Sequence, residues 1–131
     1  MIRPLGRTRS LNLLASVPLG RIVFSEHALP AVRPVNHLVD DEAVIVRSNL
    51  GTALAGATLT EGGIVVAYEA DEIDPTTRTG WSVVVTGTAR LVQDEAEVQR
   101  YEQLLHPWVD TPMNCVIRIQ TDLVTGYELV A

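Results

Sequence analysis

The segment GWSVVVTGTARLV, residues 80–92, is the longest strand candidate in the chain and sets the terms for the segments around it. Its run Val83, Val84, Val85 predicts burial on both faces, and Gly87 predicts a bulge or bend where a barrel curves. Shorter strand candidates precede and follow it. GRIVFSE is separated from PAVRPVNHLVD by a turn at residues 27–30, and Pro30 and Pro34 predict an edge or a bulge there. A turn at Asp40 and Asp41 leads into AVIVRSN, which makes a hairpin with it. GIVVAYEADEID runs into the polar loop DPTTRTG, with Asp71, Glu72 and Asp74 read as a solvated acidic loop. MNCVIRIQ and LVTGYELV close the series. Six or seven strands joined by tight turns favour an antiparallel barrel over a parallel α/β sheet.

Helical segments are few. Residues from about Thr8 to Ser16 predict a short helix with Leu11, Leu13 and Leu14 on one side, ended by Pro18 and Gly20. GTALAGAT is short, small and helix-compatible. Asp94 caps a third helix, with Glu97 reaching back and Val98, Tyr101, Leu104 and Leu105 as its apolar stripe before Pro107 stops it. The fold class is therefore mainly β, with two or three short helices. The 131 residues suffice for one domain, residues 1–131, and a chain this short often gains by dimerising.

A net charge of −6 argues against nucleic acid as the main partner. It leaves a phosphorylated small molecule open, because a few arginines and backbone N–H groups hold one phosphate. Arg3, Arg7 and Arg9 before LNLLASVPLG faintly imitate a signal peptide, but Asn12 and Ser16 interrupt the apolar stretch. It reads as an amphipathic helix of a cytoplasmic protein, and no run approaches a membrane helix. The single cysteine, Cys115, reads as a buried inert thiol. His27, His37 and His106 share no metal-ligand spacing, and His37 reads as a strand histidine satisfied by a neighbour. No catalytic motif of the hydrolase, zinc, redox-thiol or nucleotide-loop kind is present, and no metal is expected.

Three segments suggest a ligand. AVRPVNHLVDD places an arginine and an asparagine inside an apolar strand. VIVRSNLGTALAG ends a strand in polar and small residues before a helix, where N–H groups and hydroxyls meet an anion. TGWSVVVTG opens a strand with a tryptophan beside a serine. Flat apolar surface next to a few donors is what a ring-bearing cofactor needs. The plain alternative is that Arg33 and Arg47 are exposed strand charges and Trp81 is core.

From about Leu11 to Leu129, the PVN…DD hairpin, the small-residue helix start and the EAD–GWSVVV–G block resemble the short, actinobacterial-type members of the pyridoxamine 5′-phosphate oxidase-like family. The resemblance implies a six-stranded antiparallel split β-barrel that forms a homodimer with FMN sites at the interface. It implies that Arg33, Val35 and Asn36 line the cofactor and that Arg47, Ser48, Asn49, Gly51 and Thr52 approach its phosphate. Trp81, Ser82 and Val83 would face the flavin ring, and Trp108 would close the site from the partner subunit. Ala53 stands where relatives carry a lysine, a loss of about 1.5–3 kcal/mol of charge-assisted hydrogen bonding, or roughly ten- to a hundred-fold in affinity. The chain also lacks the C-terminal arginine-rich segment of true pyridoxamine 5′-phosphate oxidases, so vitamin B6 oxidation is not expected. The expectation is a flavin-dependent oxidoreductase acting on a small molecule. The alternatives are a deazaflavin or haem protein on the same barrel and a dimeric binding module without cofactor.

Overall fold

The computed structural model describes residues 1–48, 62–108 and 115–131. The chain runs β1 (Ile2–Leu5), α1 (Arg7–Ala15), β2 (Leu19–Glu26), β3 (Leu29–Asp40), β4 (Ala43–Ser48), β5 (Ile64–Asp74), β6 (Thr79–Leu91), α2 (Glu95–Leu104), β7 (Cys115–Ile119) and β8 (Leu123–Leu129). The helix expected in GTALAGAT lies outside the described residues. Every strand pairing is antiparallel, and β2, β3, β4, β7, β6 and β5 close into a six-stranded ring. Beyond the ring β8 pairs with β6, and β1 pairs with β8.

Two hairpins turn on residue pairs with positive φ that are not glycine: His27–Ala28 at 52° and 65°, and Asp41–Glu42 at 50° and 62°. Two left-handed residues in a row give a two-residue loop whose twist matches the strands it joins. In the β5–β6 hairpin the Asp74 carboxylate accepts from the Thr76 and Thr77 N–H groups. The strand continues through Asp74, so Asp71 and Glu72 lie in the β5–β6 ladder and not in a loop.

The split lies on β6. Its residues Gly80–Thr86 pair with β8, whereas Ala89–Leu91 pair with β7. At the changeover the Gln120 N–H donates to the Thr88 carbonyl at 2.9 Å. A Cβ on Gly87 would come within 1.7 Å of the Gln120 oxygen. Gly87 thus makes no bulge against β5, contrary to expectation, but admits the close approach of the β7–β8 connection. β3 changes sides similarly, pairing with β2 through Asn36 and with β4 from His37 onward. Both prolines fall in the part that pairs with β2 alone, as an edge requires.

Strand alternation separates an inner core from an outer one. Inside the ring pack Ile22, Phe24, Val44, Val46, Val66, Tyr68, Trp81, Val83, Val85, Ile117 and Ile119. α1 adds Leu11 and Leu14 to that core, so the arginine-preceded leucine stretch is part of the domain. Burying each leucine stabilises the fold by about 1.5–3 kcal/mol. Ile45 and Val116 point the other way and meet Tyr101, Leu105 and Val92 beneath α2. Four sequence expectations give way here. Val84 is exposed because β6 alternates through the valine run. Leu104 is exposed because the chain leaves helical geometry at Leu105 (φ −128°, ψ 106°) and turns that residue inward in its place. Asp94 does cap α2, but Glu97 pairs with Arg118 at 2.9 Å instead of reaching back. Cys115, expected buried, is half-buried at the start of β7.

Candidate flavin-site residues

Asn49, Gly51 and Thr52, with Ala53, lie outside the described residues. The same alternation divides the rest of the expected set. Trp81 and Val83 belong to the inner core, Val35 packs against it, and Ser48 is buried two residues beyond core-facing Val46. Arg33 places its guanidinium over the ring of inner-core Phe24, 5.4 Å from the centroid. Inward-pointing residues reach an outer ligand only through their backbone. Ser82 lies on the opposite side of β6 from Trp81 and Val83, in register with Asp71 and Tyr127.

Asn36, Arg47 and Trp108 come together outside the ring. The Asn36 amide donates to the His106 carbonyl at 2.8 Å and accepts from the Trp108 N–H at 3.2 Å. It therefore fixes the segment that leaves α2, while Trp108 itself stays 64% exposed. Arg47 donates to the Leu105 carbonyl at 2.9 Å and pairs with the Glu102 carboxylate at 3.8 Å. It neutralises carbonyls that the end of a helix leaves without partners. Its Nε is buried with no hydrogen-bond partner among the described residues. A buried donor left unsatisfied costs about 1–3 kcal/mol, so this N–H is suited to an anionic acceptor.

Sequence reasoning missed two polar clusters formed by residues distant along the chain. On β2 and β5, Arg21 lies 3.3 Å from Glu69 and 3.8 Å from Asp71. Burial, and then the hydrogen bond that its protonated form donates to Asp71, push the Glu69 carboxyl up to about 7. At the end of the barrel Asp40 accepts two bonds from Arg100 and one from the Tyr101 hydroxyl. Arg100 first and Tyr101 second hold the Asp40 carboxyl below its usual range. A polar cleft of about 540 Å³ opens there, away from Asn36 and Arg47, lined by Arg7, Asp40, Tyr101, Arg118 and Thr121 among others. Its guanidiniums are already paired, Arg7 with Glu42, Arg100 with Asp40 and Arg118 with Glu97. Charge alternation along the strands, which the apolar pattern hides, was the only available signal for either cluster. Among the described residues no group of His, Cys, Asp and Glu is arranged to hold a metal, and no helix is long and apolar enough to cross a membrane.

The sequence profile described as pyridoxamine 5′-phosphate oxidase matches residues 6–128. The chain belongs to this family. An uncharacterized protein of Mycobacterium tuberculosis, Rv0080, is 53% identical over 129 residues, covering 97% of this chain and 85% of the relative. A Corynebacterium glutamicum structure provisionally assigned as a pyridoxamine 5′-phosphate oxidase is 32% identical, with a TM-score of 0.84 and full coverage of both chains. The FAD binding protein of Mycobacterium smegmatis is 31% identical, with a TM-score of 0.73, covering 99% of this chain and 100% of that one. The matched residues span the barrel, both helices and every described candidate residue, so the family's split barrel is the fold of this chain.

Proposed function

We propose that this chain is a flavoprotein that binds FMN at the outer surface beside Arg47 and acts as a homodimeric, flavin-dependent oxidoreductase on a small molecule. The observation that carries the reading is the Nε of Arg47, buried and without a hydrogen-bond partner among the described residues. The FAD binding protein of M. smegmatis supports a flavin in general. Arg47 is held in place by the end of α2, so its charge needs little reordering to meet a phosphate. Asn36 fixes the segment bearing Trp108, whose exposed ring offers a flat apolar surface. A bound flavin supplies the electron-transfer chemistry, and the protein's own residues bind and orient it. That division of labour agrees with a chain in which no catalytic motif is legible.

The homodimer rests on the outer face of β3, β2, β5, β6 and β8. Val32, Val23, Ala67, Thr86 and Leu123 stand in register across these five strands. Val32 and Leu123, at the two sides, are 58% and 61% exposed. A mostly apolar row of this kind supports an interaction surface there.

The test is titration of the purified chain with FMN and FAD, followed by flavin fluorescence and thermal stabilisation. FMN should bind, and Arg47→Ala should weaken it roughly ten- to a hundred-fold, the loss of one charge-assisted contact. Circular dichroism establishes that the variant is folded. Failure of both flavins to bind, or an Arg47→Ala variant with unchanged affinity, overturns the reading. Binding of haem or a deazaflavin in their place would reassign the barrel.

A further inference from the structure

We propose that two copies of this chain dock through the outer sheet face around Arg21, Glu69 and Asp71, and that one proton shared by the two carboxylates of each copy controls how tightly they hold. The inference rests on the homodimer reading above and deepens it.

The cluster occupies the middle of the face. Arg21 is in register with Pro34 on one side and Glu69 on the other, and Glu69 with Val84. The row Val32, Val23, Ala67, Thr86, Leu123 flanks it along one edge. Exposed Leu19 and Tyr127 lie beyond it in the other direction. A copy that covers the apolar row must also cover the charges.

With both carboxylates ionised, one arginine faces two negative charges, and each cluster carries one surplus negative charge. A two-fold contact sets the same patch against itself, so two surplus charges meet in a surface losing its water. Both the repulsion and the loss of hydration oppose docking. Neighbouring elements supply no remedy among the described residues. From β3 comes Pro34, from β6 Ser82 and Val84, and from β8 Thr125 and Tyr127. Tyr68, next along β5, points into the inner core.

One proton per copy removes the surplus. Each cluster then holds one positive and one negative charge and a carboxylic acid that donates to its neighbour. Such a patch is self-complementary, because each cluster is neutral overall and the arginine of one copy can meet the remaining carboxylate of the other. The Glu69 carboxyl already titrates near neutrality in the single chain. Docking favours the protonated form further, since it withdraws water from the charged one.

The experiment is sedimentation equilibrium of the full chain at about pH 6 and about pH 8.5, on the wild type and on Glu69→Gln. The wild-type dimer should weaken at least about ten-fold between these values, because dissociation releases up to two protons. Glu69→Gln carries the neutral form permanently, so its dimer should stay tight at both. A wild-type dimer of constant affinity, or a Glu69→Gln dimer that keeps the wild-type pH dependence, overturns the shared-proton proposal and leaves the homodimer standing. A monomer at both values overturns the homodimer itself. Thr86→Arg fixes the location: it should abolish the dimer at both values, and a persistent dimer places the contact on another face and overturns the inference.

Discussion

His37 shows how one residue joins three elements. Its Nε2 lies 2.8 Å from the Leu14 carbonyl on α1, and its Nδ1 lies 2.5 Å from the Tyr68 hydroxyl on β5. A carbonyl only accepts, so Nε2 carries the proton and Nδ1 accepts from Tyr68. Burial lowers the pKa of His37 below its ordinary value, and the Leu14 carbonyl opposes this in part. The same burial raises that of Tyr68. The unfolded chain binds a proton on His37 near pH 6.5, where the folded chain does not. The stability due to the neutral histidine is therefore complete above that value and is lost as pH falls through it toward the folded pKa. The melting temperature of the wild type should fall over that window, and His37→Gln should flatten the fall. Tyr68→Phe leaves Nδ1 buried without a donor and should cost about 1–3 kcal/mol in urea unfolding at neutral pH. A neighbour-satisfied strand histidine was legible in the sequence. Its partners were not, because they stand 23 and 31 positions away along the chain.

Elements were legible where a turn residue bounds an apolar run, and less so where sheet pairing alone defines them. β2 to β8 follow their sequence signatures, whereas β1 is four residues long, mostly exposed, and held as a strand by pairing with β8. The interior of β6 was misjudged because three consecutive valines read alike, and only the register with β5 and β8 distinguishes exposed Val84 from buried Val83 and Val85. Gly87 reads in the sequence as a bulge or bend, but its register with β5 is unbroken, and what needs the glycine is the β7–β8 connection. Gly87→Ala places a methyl group where the Gln120 backbone oxygen stands. Backbone cannot rotate away as a flexible side chain does, so the two halves of the split must separate. The variant should lose about 1–3 kcal/mol or more, the range for overpacking, measured by denaturant unfolding. An unchanged midpoint would mean that the connection adjusts without disturbing β6.

Across the whole molecule the two faces of one closed sheet carry unequal loads. Among the described residues fifteen buried side chains form the inner core, and five form the outer core beneath α2. The candidate site was legible as a set of residue types, yet its division between these faces follows from alternation around the ring and is visible only once the pairings are known. Asn36, Arg47 and Trp108 depend on the smaller core, because Arg47 bonds to the end of α2 and Asn36 to the segment after it. Local opening costs least where the fewest apolar contacts are broken. In native-state hydrogen exchange the amides of α2 should therefore exchange faster than those of Ile22, Tyr68 and Val85, which lie on paired strands of the inner core. Exchange of α2 at the global rate would mean that both cores open as one unit. If α2 opens separately, a ligand held by Arg47 should slow its exchange much more than that of the barrel strands, since each opening of the helix frees the guanidinium that binds it.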